Sequence, residues 1–376
     1  MMIYLDYAAT APMRQTAIDA YAEAAKQVFG NTQSLHDAGS AADSMLEACR
    51  RIWGGLLNVR AEGVYFTGNA SEGNQLAIRS LLRGRRGDGK REIVTTALEH
   101  ASVLTVLHEM EKEGYRIRYV PVAADGVLDF EQYRKMVTDQ TALIVIQLVN
   151  SEMGAIQPVA ECAAYAKEKG VPLHCDIVQA VGKIPVDLAQ LDVTSAVCSG
   201  HKIGGPKGVG IVWIDPGVHW ESVYEGTVHQ QGFRAGTVDV PGVVSATIAG
   251  KEAVAEQQEV ALHAGELQRY LMERLPEKVL LTGDPAKKSP FIQGLLLPHV
   301  EGQWMMLECN RQQIAISTGT ACKIGAGEAI SAMSAIGIEQ DAARKFIRIS
   351  FSASTTKQDI DAFLKVIGTS MATFAL

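Results

Sequence analysis

"HCDIVQAVGK" (174–183) and "CSGHKIGGPKG" (198–208) are the two segments on which the fold turns. Each begins where a short apolar run stops, "PLHCD" (172–176) in the first case and "SAVCSG" (195–200) in the second. Short apolar runs bounded by Gly and polar residues read as buried strands. Asp176 and Gln179 then follow one strand, and Ser199, His201 and Lys202 follow the next. In an open parallel sheet, ligands gather outside the carboxyl ends of the strands. The two segments therefore bring a carboxylate and an amine to one crevice.

Working outward, the same alternation continues. "GVYFTG" (63–68), "REIVTTALEH" (91–100), "RIRYVPV" (116–122), "ALIVIQLVN" (142–150) and "GVGIVWID" (208–215) read as strands. "TAIDAYAEAAKQVF" (16–29), "SAADSMLEACRRIWGGLL" (40–57), "NQLAIRSLLRG" (74–84) and "ASVLTVLHEMEKEG" (101–114) read as amphipathic helices, with Ser40 the expected cap of the second. Strands alternating with helices imply crossover units and a mostly parallel sheet. Beyond about residue 250 the pattern becomes one long helix, expected over 244–275, then shorter elements. The expected division is a large domain over 15–255 and a smaller one made of 1–14 and 256–376.

Bulk properties set limits. A chain of 376 residues is too long for one small core. Its net charge of −7 offers no basic field for nucleic acid. No apolar run approaches a membrane span, and the first residues lack the pattern of a secretory signal, so the expected location is cytoplasmic. The six cysteines form no CxxC pair or zinc-like cluster, so no metal site is expected. Cys49, Cys162, Cys175 and Cys198 sit within apolar patterns and read as core.

"GRRGDGKR" (84–91) mimics a phosphate loop, but Arg91 stands where Ser or Thr is needed and a helix precedes it. It reads as a solvated turn. "GGPKGVG" (204–210) leads into a strand rather than a helix and is no dinucleotide fingerprint. "TGNASEGN" (67–74) is different: a strand-to-helix turn of small residues suits a phosphate at the helix start, a plain helix cap being the lesser alternative for Ser71. A lysine placed like Lys202 can form a Schiff base, and an aspartate placed like Asp176 can pair with a pyridinium nitrogen. In "RKFIRISF" (344–351), Arg348 is either a snorkelling edge residue or a bidentate carboxylate clamp.

These segments resemble the cofactor core of fold-type I pyridoxal phosphate enzymes of the class V aminotransferase family, specifically cysteine desulfurases of the NifS/IscS type. The likeness extends to "YLDYAATAP" (4–12), "FTGNASEGNQLAI" (66–78), "TTALEHASV" (95–103), "LVNSEMGAIQP" (148–158), "GFRAGTVDVP" (232–241), "STGTACKIG" (317–325) and "IRISF" (347–351), in family order. It implies an α/β fold with a mainly parallel seven-stranded sheet in the large domain and a smaller α/β C-terminal domain. It also implies pyridoxal 5'-phosphate as cofactor and L-cysteine as substrate.

Residue by residue, the resemblance implies that Lys202 carries the cofactor and acts on the Cα proton. Asp176 faces the ring nitrogen, Gln179 the phenolic oxygen, and His100 covers the ring face and shuttles protons. Ala70, Ser71, Ser199 and His201 hold the phosphate, with Thr237 reaching it from the second subunit of a homodimer. Arg348, helped by Asn150, holds the substrate carboxylate. Cys322 takes the sulfur as a persulfide, the organic product being L-alanine, and passes it to an acceptor protein: an iron–sulfur scaffold, a client enzyme or a thiolation enzyme. A selenocysteine lyase and a cofactor-binding assembly scaffold without turnover are the alternatives. Two positions depart from the pattern. Gln230 and Gln231 replace a Glu-Arg pair common in relatives, and Lys323 follows the cysteine where Thr or Ser is usual.

Overall fold

A computed structural model describes residues 2–319 and 332–374. In chain order the described strands are β1 (Ile3–Tyr4), β2 (Val64–Thr67), β3 (Glu92–Thr96), β4 (Arg116–Val120), β5 (Thr141–Gln147), β6 (Leu173–Asp176), β7 (Ser195–Ser199), β8 (Gly210–Ile214), β9 (Leu280–Leu281), β10 (Ile292–Leu296), β11 (Ile314–Ala315) and β12 (Phe346–Ser350). Seven of them form one sheet in the order β2-β8-β7-β6-β5-β3-β4. All neighbours along β7-β6-β5-β3-β4 are parallel, whereas β8 runs antiparallel to both β2 and β7. The reversal has a simple cause. Only residues 200–209 separate β7 from β8, and a parallel crossover needs a dozen or more residues.

Away from the β4 edge the sheet is buried on both faces, which is why β5, β6, β7 and β8 read as largely apolar runs. In β5, Ile144 and Ile146 pack into a core with Leu46, Trp53, Cys162 and Ala246, from the helices Asp37–Leu57, Val159–Glu168 and Val240–Met272. Leu143 and Val145 point the other way, into a core with Leu76, Ile78, Leu81, Val103 and Leu107 from the helices Ala70–Arg83 and Ala101–Lys112. This is the period-two alternation of a pleated strand. Each fully buried side chain of this kind contributes about 1.5–3 kcal/mol.

A second layer is built on the antiparallel sheet β12-β10-β9. Its core joins Leu295, Met305, Ile347, Ile349 and Phe363. β1 pairs in parallel with β11, so the start of the chain is tied to this later part. Among the described residues no helix is long and apolar enough to cross a membrane.

Local signals moved some boundaries. The helix expected from Ser40 starts at Asp37, because the His36 ring accepts the Gly39 N–H at 3.2 Å. The helix expected from Asn74 starts at Ala70, capped by the Asn69 side chain on Glu72 N at 2.8 Å. The long helix spans Val240–Met272, started by an Asp239 cap and Pro241 in its first turn. Arg86–Asp88 is a single 3-10 turn between helix and strand, as expected of the "GRRGDGKR" segment.

Candidate active site

β6 ends at Asp176, and β7, its parallel neighbour, ends at Ser199. The chain then makes a 3-10 turn, Gly200–Lys202, that carries His201 and Lys202 into the same crevice. The N-terminal segment lies over this turn. Lys202 Nζ donates to the carbonyls of Ala8 at 2.5 Å and Ala9 at 2.7 Å. His201 Nδ1 meets Thr10 Oγ1 at 3.1 Å, and Ala11 N donates to the His201 carbonyl at 2.9 Å. Gln179 joins the group, donating from Nε2 to the Ala8 carbonyl at 2.9 Å and accepting Lys183 Nζ at 2.6 Å.

The strand-to-helix turn at 67–70 approaches from the other side. A methyl group on Gly210 of β8 would stand 2.4 Å from Thr67 Oγ1 and 2.5 Å from the Asn69 carbonyl, so only glycine lets the turn seat there. Asn69, not Ser71, is the helix cap. The N–H groups of Ala70 and Ser71 in the first turn are left for an anion.

His100 caps the helix Ala101–Lys112, its Nδ1 accepting from Ser102 N at 3.2 Å and lying 2.9 Å from Ser102 Oγ. Asp176 accepts from Val178 N and from Asn74 Nδ2, both at 2.9 Å. Arg348 is half-buried in β12. Its Nη2 pairs with Asp6 at 2.8 Å, its Nη1 donates to the Ser151 carbonyl at 2.9 Å, and its buried Nε has no partner among the described residues. The Asn150 side chain ties its own loop to the turn after β3: Oδ1 accepts from Glu152 N at 2.9 Å and Met153 N at 2.8 Å, and Nδ2 donates to the Leu98 carbonyl at 3.1 Å. Thr237 is exposed. Cys322 and Lys323 lie outside the described residues.

Electrostatics bind the group together. Burial pushes Lys183 down to about 7, with the positive charges of Lys202 and Arg348 adding to it. His201 is pushed down to about 4 by burial first and then by Lys202, Lys207, Lys183 and His100. Desolvation of the His100 ring by the groups packed around it lowers its pKa, the Asp176 charge opposing and the Lys202 and Arg348 charges adding. The residue nevertheless keeps exposed surface. Glu99, fully buried beside it, is raised to about 8, chiefly by burial, and so is mostly protonated at neutral pH.

The crevice is thus rich in positive charge and short of acceptors. Among the described residues, Ser199 Oγ is buried without a hydrogen-bond partner, as is Arg348 Nε. Buried polar atoms without partners are rare. These two, with the free helix-turn N–H groups, suit a ligand that brings a phosphate and a carboxylate. Together with Asp176 and Lys202, the donor set fits pyridoxal phosphate.

Asn74 and His174 escape a motif-based reading. Both left a signal, however. Asn74 shares a helix face with Ala77, Ile78 and Leu81 and is 0% exposed, so a polar residue stands in an apolar stripe. His174 interrupts an apolar strand two residues before Asp176, and therefore shares its face.

The sequence profile described as "Aminotransferase class-V" matches residues 3–363. A protein of Bacillus subtilis (strain 168) designated NifS is 40% identical over 368 residues, covering 96% of this chain and 93% of the relative. The cysteine desulfurase IscS of Rickettsia bellii (strain OSU 85-389) is 32% identical, with 97% and 90% covered. Among solved structures, a NifS-like protein superposes with a TM-score of 0.92 at 30% identity, covering 99% of this chain and 100% of the other. With a family match that runs from β1 to the last helix, and with a lysine and an aspartate on adjacent strand ends beneath it, the chain belongs to the class V aminotransferase family, among relatives named as cysteine desulfurases.

Proposed function

We propose that this protein is a pyridoxal-phosphate-dependent cysteine desulfurase, converting L-cysteine to L-alanine and collecting the sulfur on Cys322. The observation that carries the reading is the meeting, at the ends of β6 and β7, of Lys202, Asp176 and a Ser199 hydroxyl that has no partner among the described residues. Asp176 would hold the ring nitrogen, Gln179 the phenolic oxygen through its remaining amide hydrogen, and His100 the ring face. Ala70, Ser71, Ser199 and His201 would hold the phosphate, joined by Thr237 of a second copy. When bound, pyridoxal phosphate supplies an electron sink for charge developing at the substrate Cα.

Arg348 fixes the substrate carboxylate by its planar fork, beside the Asn150 loop. The Lys202 amine, carried on the turn after β7, takes the Cα proton. Cys322 attacks as thiolate at the substrate sulfur. The Cβ–S bond breaks with its electron pair left on carbon, an S–S bond forms on Cys322, and protonation of Cβ completes alanine. No outside oxidant or reductant is needed. The five described cysteines support this assignment by contrast. All are buried free thiols, and burial raises every one of their pKa values. Free thiols also suit a reducing, cytoplasmic setting. The persulfide would then pass to an acceptor protein, which for this branch is an iron–sulfur scaffold, a client enzyme or a thiolation enzyme.

The test is alanine and persulfide production from L-cysteine by the purified protein. Lys202→Ala should abolish both, and Cys322→Ala should keep the cofactor's visible colour while losing persulfide and alanine. A Cys322→Ala variant with normal output of both would overturn the assignment. Retained selenide release from selenocysteine in that variant would point to a lyase instead.

A further inference from the structure

Asn74 is wholly buried, and each polar atom of its side chain is used. Nδ2 lies 2.9 Å from Asp176 Oδ2 and 3.0 Å from Ser102 Oγ, and Oδ1 lies 3.0 Å from His174 Nε2. His174 Nδ1 lies 2.7 Å from Ser195 Oγ. The Ser102 hydroxyl is 2.9 Å from His100 Nδ1. One primary amide therefore links the group below the proposed ring nitrogen to the group over the proposed ring face.

The direction of every hydrogen follows from one fixed point. Both Asp176 oxygens serve as acceptors, Oδ1 from Val178 N and Oδ2 from Asn74, so the amide nitrogen of Asn74 faces Asp176. Its Oδ1 must then accept, which requires a hydrogen on Nε2 of His174. His174 Nδ1 is left to accept from the Ser195 hydroxyl. The ring is neutral, because complete burial takes its pKa down to about 3. On the other arm, the second Nδ2 hydrogen goes to Ser102 Oγ. The Ser102 hydroxyl hydrogen is then directed at His100 Nδ1, which already accepts Ser102 N–H at 3.2 Å. With two donors aimed at Nδ1, the single hydrogen of a neutral His100 ring belongs on Nε2. That nitrogen makes no hydrogen bond among the described residues.

We propose that Asn74 is a positioning residue that locks the Asp176 carboxylate in place and, through Ser102, sets His100 as the neutral Nε2–H tautomer. The consequence for chemistry is specific. His100 meets the cleft as a hydrogen-bond donor at Nε2 and has no lone pair there with which to take a proton. The Cα proton is thereby left to Lys202. This inference rests on the cofactor placement proposed above, but its hydrogen positions belong to the protein itself.

The experiment uses the full-length protein with its histidines labelled with nitrogen-15, with and without added pyridoxal phosphate. Nitrogen shifts should report both His174 and His100 as Nε2–H tautomers at neutral pH, assigned by His174→Gln and His100→Gln. Asn74→Leu keeps the volume but removes both hydrogen-bond arms. It should lower pyridoxal phosphate affinity about tenfold, as loss of buried hydrogen bonds to a charged group does, and move the pH midpoint of the bound cofactor's visible absorbance. Ser102→Ala cuts only the His100 arm. It should disturb the His100 nitrogen shifts while leaving cofactor affinity within about twofold, and it stands in if Asn74→Leu does not fold. An Nδ1–H His100 in the wild type overturns the proposal. So does a folded Asn74→Leu with unchanged affinity and absorbance midpoint. If the wild type takes up no pyridoxal phosphate, the functional reading fails, and the tautomers of the unloaded protein still decide this one.

Discussion

At the scale of single residues, His174 shows how burial fixes a protonation state. It has no exposed surface, and its two ring nitrogens are matched to Asn74 and Ser195 in a way that has no room for a second proton. Its folded pKa of about 3 lies below the ordinary histidine value near 6.5. Between those two values the unfolded chain holds a proton that the folded protein lacks. Stability from this group is therefore complete above about pH 6.5 and is lost progressively as pH falls toward 3. The expected outcome is a wild type whose denaturant midpoint drops on acidification from pH 6.5 to 4.5. In His174→Gln, where the amide can still donate to Asn74, the slope should shrink by about 1.4 kcal/mol per pH unit. Equal slopes in the two proteins, measured by denaturant unfolding across that range, would count against a buried neutral His174. Glu99 works in the opposite sense, since a raised carboxyl pKa near 8 makes the folded state the one that holds the proton.

At the scale of elements, the crevice depends on how closely the turn at 67–70 rests on β8. Gly210 is required for its lack of a side chain, since a Cβ would collide with backbone atoms of Asn69 that cannot yield. Gly210→Ala should therefore push the start of the helix Ala70–Arg83 away from Ser199. We expect it to destabilise the protein by about 1–3 kcal/mol, the usual range for overpacking. It should also weaken pyridoxal phosphate binding. Both are read by denaturant midpoint and by titration of the cofactor's absorbance. Unchanged values in a folded variant would mean that the turn adjusts freely.

The strands and their order of chemistry were legible because apolar runs and strand-end polar residues are local signals. Asp176, Ser199 and Lys202 could be placed from those runs alone. The reversal of β8 was legible in principle from the ten residues before it. What was not legible depends on contacts between distant segments. The clasp of Ala8 and Ala9 on Lys202, and the Asp6 partner of Arg348, join residues far apart in the chain. Gln230 is similar. It is 6% exposed, and its amide pairs with both N–H and C=O of Phe66 on the edge strand β2, while also accepting from Arg50 at 3.3 Å. A glutamate there could accept from Phe66 but could not donate to it. The glutamine that breaks the family's charged pair thus finishes an open sheet edge.

At the scale of the whole molecule, the decisive issue is whether one chain makes a complete site. Thr237 follows Arg234, which is tied to Glu72 at 2.7 Å, yet Thr237 itself is exposed. If Thr237 serves the phosphate of a second copy, then Lys202 and Thr237 of any one site come from different chains. Co-expression of Lys202→Ala with Thr237→Val under separate tags tests this directly. In a mixed dimer, one site carries both defects, whereas the other has an intact lysine and an intact threonine. With random pairing, half of the dimers are mixed and half of their sites are intact, so about a quarter of wild-type desulfurase activity should return at limiting pyridoxal phosphate. If threonine served its own chain, every site would carry one defect or the other, and no intact site could form. Doubly tag-purified mixed dimers make the contrast sharper: about half of wild-type activity in the first case, and no more than Thr237→Val contributes in the second. Activity at that lower level in the mixed dimer would show that each chain completes its own site.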